Sequence, residues 1–334
     1  MKDVWGRELT YLRLAITDRC NLRCNYCMPA QGIELSPKRD LLSFEEYIKI
    51  VKNSVSLGVN KVRITGGEPL VRKDVLSFFR QLSQIEGLKS WNLTTNGVLL
   101  DRYLPDLEKL GIDSVNLSMD SLQEDRFQAI TRRNDFKQVK SSLYALIDSP
   151  VRLKLNVVLM ADQNTDEIKD FIELSRLHDL ELRFIEEMPF NGGSLKASKT
   201  PWSAKDIVDE IYRLYPNVEE LGRGVSETSF NYRLAGSKGS FGVIPAFTRS
   251  ICNDCNRIRI TAKGELKNCL YDKGVYDFKR ILRDANLSSV EKDIMIREEL
   301  NRLVKLKPKD GFEAAEAAST NSVGYRKSMS HIGG

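Results

Sequence analysis

Apolar residues recur along this chain in two rhythms. Short runs rich in β-branched and long aliphatic residues occur at LRLAIT (12–17), KVRITG (61–66), WNLTT (91–95), SVNLSM (114–119), VRLKLNVVLM (151–160) and LELRFIEEM (180–188), the composition of strands. Between them lie amphipathic stretches. SFEEYIKIVKNSVSLG opens with Ser43, carries Glu46 three residues later and ends at Gly58, which predicts a helix closed by a capping box at one end and a glycine at the other. Further helical patterns run near 74–86, 101–110, 123–147 and 165–178. Strand–helix repetition builds a parallel sheet with right-handed crossovers. About six such units, without a clean eighth, predict an α/β fold, a partial (βα)6 barrel of the TIM type. After Pro189 the rhythm breaks: FNGGSLKASKTPW (190–202) reads as a loop, 203–215 as a helix, 228–261 as antiparallel strands with turns, and 288–304 as a last helix, with AAEAAS (314–319) locally biased in composition. The chain therefore divides into 1–189 and 190–334.

Polar signals fall where such a sheet places its active site, after the carboxyl ends of strands. Cys20, Cys24 and Cys27 follow the first strand, and Gly66-Gly67-Glu68-Pro69 the second. Thr94-Thr95-Asn96-Gly97 closes the third, Ser118 and Asp120 the fourth, and Glu186, Glu187 and Met188 the sixth. Asp120 reads as an ordinary helix cap. Cations also interrupt the apolar runs: Arg13, Arg63, Lys154 and Arg183 stand inside predicted strands, and Arg257 and Arg259 alternate in NRIRIT, on one face. Helices cover the outer face of a barrel strand, so these cations fit a polar lumen and a multiply charged anion, for which the arginine fork is suited. Solvated edge positions or structural ion pairs are the other reading.

Composition narrows the class. The 334 residues are 41% hydrophobic and 29% charged, with a formal charge of +5. That mild balance does not call for nucleic acid, and no apolar run is long enough to span a membrane. The first residues lack the order of a signal peptide, so a cytoplasmic protein is expected. The cysteines form two groups of three, Cys20, Cys24, Cys27 and Cys252, Cys255, Cys269, while His178 and His331 are the only histidines. Clustered cysteines in such a chain suggest metal rather than disulfide. Buried thiols without a ligand are one reading. Zinc held by Cys24, Cys27, Cys252 and Cys255 is another, but it leaves Cys20 and Cys269 without a role. An iron–sulfur cluster at each triplet leaves no cysteine over, and three thiolates keep one iron open to a small molecule.

CNLRCNYC (20–27) resembles the signature of the radical SAM enzymes, and TGGEPL (65–70) resembles their glycine-rich SAM motif. ICNDCNRIRITAKGELKNC (251–269), the terminal MSHIGG (329–334), and ITGGEPLVR, NLTTNG, NLSMDSL and RFIEEMP in order are similar to the GTP 3′,8-cyclase branch of that family. The resemblance covers nearly the whole chain. One departure is 307–316, which lacks an expected histidine. The resemblance implies a radical SAM partial barrel whose C-terminal extension covers the mouth. It implies a [4Fe–4S] cluster at each triplet, S-adenosyl-L-methionine as cofactor, and conversion of GTP to (8S)-3′,8-cyclo-7,8-dihydroguanosine 5′-triphosphate, the first step of molybdenum-cofactor synthesis. SAM would meet Tyr26, Gly67, Ser118 and Met188. GTP would meet Arg13, Arg63, Thr94, Lys154, Arg183, Arg257, Ile258 and Arg259. Arg257, Arg259, Gly333 and Gly334 would position the reactants. Implied partners are a reductant and a downstream cyclic pyranopterin monophosphate synthase; a homodimer stays open. Rivals are another radical SAM enzyme with an auxiliary cluster and a non-catalytic, zinc-stabilised binding protein.

Overall fold

The computed structural model describes residues 1–188, 201–248, 251–319 and 328–329. Its core is a run of parallel strands: β1 (Tyr11–Ala15), β2 (Lys61–Thr65), β3 (Ser90–Thr95), β4 (Ser114–Ser118), β5 (Arg152–Leu159) and β6 (Glu181–Glu186). They pair in sequence order. Between them run α1 (Phe44–Ser56), α2 (Val75–Ser83), α3 (Leu100–Lys109), α4 (Glu124–Thr131), α5 (Phe136–Ile147) and α6 (Ile168–Leu177). The capping box of α1 is present, with Ser43 accepting from Glu46 N and the Glu46 side chain reaching back. The helical stretch expected over 123–147 is two helices. Arg132, at φ 56, ends α4 in the left-handed region, and Thr131 Oγ1 donates to Phe127 O.

The rest of the chain contributes α7 (Ala204–Leu214), β7 (Glu219–Gly222), β8 (Phe230–Arg233), β9 (Ser240–Ile244), β10 (Arg257–Ile260), β11 (Glu265–Lys267), β12 (Tyr276–Asp277), α8 (Lys279–Leu282), α9 (Ser289–Val304) and α10 (Gly311–Ser319). The expectation of an antiparallel set over 228–261 is half right. β7, β8 and β9 are antiparallel neighbours, but β9 also pairs parallel with β6, and β10 pairs parallel with β1 at the opposite edge. The sheet order is β12-β11-β10-β1-β2-β3-β4-β5-β6-β9-β8-β7, open at both ends. α10 follows α9, so 288–304 is not the last helix. Most of the expected loop at 190–202 lies outside the described residues.

Strand alternation separates two environments. Leu12, Leu14, Val62, Ile64, Leu93, Val115, Leu153, Leu155, Leu182 and Phe184 are buried in one continuous apolar core with the helices. Their alternates, including Arg13, Arg63, Thr94, Asn116, Lys154 and Arg183, line the interior of the open barrel.

Candidate active site

A cavity of about 580 Å³ occupies that interior, lined by both cysteine triplets and by the lumen-facing cations. The first triplet is held by close backbone packing. Gly67 N donates to Thr17 O (2.7 Å) and Glu68 N to Arg19 O (2.8 Å). A Cβ on Gly67 would lie 2.3 Å from Arg19 O, and one on Gly66, at φ +154, 2.6 Å from Thr17 O. The glycine pair therefore lets the turn after β2 lie flat on the segment entering Cys20. Glu68 ties in the next turn: its carboxylate accepts from Leu70 N (3.0 Å), Thr95 Oγ1 (2.8 Å) and Asn96 N (2.7 Å). Burial pushes the Glu68 carboxyl up to about 7, although these donors pull the other way. Asn96 Nδ2 then reaches Asn21 Oδ1 (2.8 Å) and lies 3.7 Å from Cys20 Sγ.

The cations form the strand-side part of the cavity. Register places Arg259, Arg13 and Arg63 side by side on β10, β1 and β2. Burial, then Arg259, brings Arg13 down to about 9. Arg63 Nε donates to Tyr11 Oη (2.7 Å). Burial alone would push that phenol up, yet Arg63, Arg13 and Arg257 bring it down to about 7. Glu181 pairs with both Lys154 and Arg183 at 2.5 Å. Lys154 and Arg183 are thus ion-paired through Glu181, while Arg259, Arg13 and Arg63 crowd like charges on one buried wall, the arrangement of groups that marks a candidate site.

The second triplet is held from several directions. Arg7 donates to Cys252 O (3.0 Å), Lys309 O (2.8 Å) and Pro308 O (2.7 Å). Buried Lys307 donates to Arg257 O (2.8 Å) and Asn268 O (2.5 Å). Burial would raise the Cys255 thiol, but Lys307 and Arg257 outweigh it and bring it down to about 7. At the first triplet burial, then Glu68, pushes Cys20 up to about 12. Asp254 accepts from Arg223 (2.9 Å) and from Ser226 N (2.7 Å), and Arg257 donates to Ser226 O (2.5 Å). The C-terminal segment reaches the first triplet, where Ser328 Oγ donates to Cys27 O (2.8 Å), and Met329 lines the cavity.

Every described residue predicted for the site lines this cavity except Ile258. Ile258 is fully buried in the apolar core, because alternation along β10 turns its side chain away from Arg257 and Arg259. Gly333 and Gly334 lie outside the described residues. Asp120 is not a helix cap: it accepts from Tyr26 Oη (2.8 Å) and Val158 N (2.9 Å) and lines the cavity, while Gln123 precedes α4. Asn96, among the polar signals that close the third strand, lines it as expected, and Tyr11, Lys61, Asn116 and Asn156 line it unforeseen. For Tyr11 and Lys61 the signal was there: each stands two residues before a predicted lumen arginine, on the same strand face. Glu186 also lines the cavity, and its carboxylate accepts from Ala204 N (2.5 Å), Phe247 N (2.7 Å) and Thr248 N (2.8 Å), which fixes the start of α7 and the segment after β9 against the end of β6.

Soft thiols in two coupled triplets around one cavity suit iron–sulfur chemistry, in which each thiolate takes a different iron. No disulfide joins the six cysteines. Among the described residues no three His, Cys, Asp or Glu side chains form a group that could hold a single metal ion.

The fold and this cavity define the class. The Radical SAM superfamily model matches residues 14–175, and the Molybdenum Cofactor Synthesis C model matches 180–312. The GTP 3′,8-cyclase of Moorella thermoacetica is 40% identical over 336 residues, covering 100% of both chains. The mitochondrial GTP 3′,8-cyclase of Arabidopsis thaliana is 40% identical over 99% of this chain and 83% of its own. Molybdenum cofactor biosynthesis protein 1 of Drosophila melanogaster is 41% identical over 86% of this chain; the chain spans about half of that relative's length, 51%. Among solved structures, Streptococcus suis SuiB bound to S-adenosylmethionine shares the fold at a TM-score of 0.60 and 12% identity, over 90% of this chain and 68% of that one. The chain belongs to the GTP 3′,8-cyclase family of the radical SAM superfamily. Family membership brings a [4Fe–4S] cluster and SAM. Among the described residues no helix is long and apolar enough to cross a membrane.

Proposed function

We propose that this chain converts GTP to (8S)-3′,8-cyclo-7,8-dihydroguanosine 5′-triphosphate, the first committed product of molybdenum-cofactor synthesis. The observation that carries this reading is the single cavity lined by both cysteine triplets and by Arg13, Arg63, Lys154, Arg183, Arg257 and Arg259. Cys20, Cys24 and Cys27 would hold one [4Fe–4S] cluster and Cys252, Cys255 and Cys269 a second. When bound, the first cluster and SAM would supply one electron and a 5′-deoxyadenosyl radical able to take the hydrogen from ribose C3′; once C3′ has bonded to guanine C8, the remaining nucleobase radical requires one further electron, from the reductant, and one proton. The chain's own residues bind and align. Tyr26, Gly67, Ser118 and Met188 orient SAM. Thr94 and the cations bind GTP, the cations offsetting its negative charge, so that the ribose meets SAM in one pose. Arg257 and Arg259, in register with Tyr11 and Arg13 on β1, hold the substrate beside the second triplet. Gly333 and Gly334 would help to position SAM against GTP. The division near residue 189 would then separate the partial barrel that holds the first cluster from the C-terminal part that holds the second, with substrate-binding residues drawn from both.

The proposed partners are GTP, a reductant, and a cyclic pyranopterin monophosphate synthase that consumes the product; a homodimer is compatible with this, and neither nucleic acid nor a membrane is involved. The proposed compartment is the cytoplasm. Anaerobic reconstitution tests the reading. Expected are about eight irons per chain, from two cubanes, and GTP-dependent formation of the cyclised nucleotide. Zinc that iron cannot replace, or clusters that cleave SAM without acting on GTP, would overturn it.

A further inference from the structure

The inner wall of β4 and β5 carries two asparagines with no role so far. Asn116 on β4 stands in register between Thr94 on β3 and Lys154 on β5. Two residues further along the strands, Asn156 on β5 stands between Ser118 on β4 and Arg183 on β6. Asn116 is 6% exposed. Asn116 Oδ1, Asn156 Oδ1 and Thr94 Oγ1 are buried with no hydrogen-bond partner among the described residues, and all three residues line the cavity. Buried polar atoms are normally satisfied, so each exception calls for an explanation.

Asn92, in register with Arg63, supplies the contrast. Its Nδ2 donates to Ser90 Oγ (2.9 Å) and its Oδ1 accepts from Ser114 Oγ (2.5 Å). The barrel wall can satisfy an asparagine from within when the residue is structural. Asn116 and Asn156 are aimed into the cavity instead. Register aligns Arg63 with Asn92, Ser114 and Arg152, so Asn116 stands two residues and Asn156 four residues further in the carboxyl direction than the row Arg259–Arg13–Arg63. That row draws the charged end of a nucleotide. A neutral amide, with a donor and an acceptor on one group, matches a hydroxyl, which can both give and take a hydrogen bond.

We propose that Asn116 and Asn156 form a sugar-hydroxyl subsite: their amides receive the ribose 2′- and 3′-hydroxyls of the nucleoside triphosphate and select ribonucleotides over deoxyribonucleotides. This rests on the reading of the cavity as a GTP site. It places the sugar between the row that takes the phosphates and Ser118, the residue proposed for SAM, which is where the hydrogen to be removed must lie. A site built to bond a hydroxyl discriminates strongly against an analogue that lacks it, because its own polar groups are then left unpaired.

The test is equilibrium titration of the two-cluster enzyme, without SAM, with GTP, 2′-deoxy-GTP and 3′-deoxy-GTP. The wild-type protein should bind GTP about tenfold tighter than at least one deoxy analogue. Asn116→Ala or Asn156→Ala should weaken GTP binding by about that factor, leave the matching analogue nearly unchanged, and so erase the preference. Asn116→Ser and Asn156→Ser serve where the alanine form fails to fold. Equal binding of all three nucleotides by wild type would overturn the proposal, as would an undiminished preference in both variants or an equal loss for GTP and both analogues. Failure of the two-cluster wild type to bind GTP at all would instead remove the GTP reading, and this inference with it.

Discussion

Glu68 ties the turn after β2 to the turn after β3, and through Asn96 to the cysteine segment, while carrying a proton affinity raised by burial. A carboxyl that holds its proton more tightly when folded contributes stability below its ordinary value, 4.5, and that contribution is lost as pH rises through about 7. Denaturation of the apoprotein should therefore show stability falling across that window, with Glu68 contributing on the order of 3 kcal/mol. Glu68→Gln should remove this part of the slope; a slope equal to that of wild type would show that Glu68 is not its source. The cations lead to a different measurement. On the proposed reading, Arg257→Ala or Arg259→Ala would delete charge-assisted bonds to GTP, each worth roughly 1.5–3 kcal/mol. GTP binding should weaken at least about tenfold and SAM binding much less, as titration with each ligand separately will report.

At the scale of elements, the glycine pair makes the motif before Glu68 intolerant of any side chain. Gly67→Ala puts a methyl against the Arg19 carbonyl, which must push the cysteine segment off the β2 turn. Iron content after reconstitution should drop from about eight to about four per chain, one cubane lost of two; full iron loading would show that the segment can shift without losing its ligand geometry. This packing was hidden in the sequence, where Gly66 and Gly67 carry only the general meaning of close approach. The parallel strands β1 to β6 were legible because each is a β-rich run between amphipathic helices, and the lumen cations because a charge inside such a run has few places to go. The edges were not legible. SFGVI and RIRI look like local hairpin strands, and nothing local says that one joins β6 and the other β1, since register and partner are decided by long-range packing. Asn116 and Asn156 were silent for a similar reason: an asparagine in a strand pattern looks like a weak strand residue until its neighbours across the sheet are known.

At the scale of the whole molecule, the C-terminal segment closes on the N-terminal cysteines through Ser328 and Met329. Deletion of Gly333 and Gly334 should leave both clusters and the melting temperature nearly unchanged, because chain ends contribute little to a core. GTP conversion should collapse while SAM cleavage persists, as product analysis under single turnover will show; full conversion would make the tail dispensable. The pairing of Tyr11 with Arg257 has a further consequence, in time rather than space. β1 leaves the ribosome long before the strand that covers its outer edge, a delay of roughly 10–50 s at about 5–20 residues per second. Throughout that interval the thiols that follow β1 sit beside an unfinished sheet. Until β10 is made, the loop that carries Cys20, Cys24 and Cys27 lacks the wall that Cys252, Cys255, Arg257 and Arg259 later give to the same cavity.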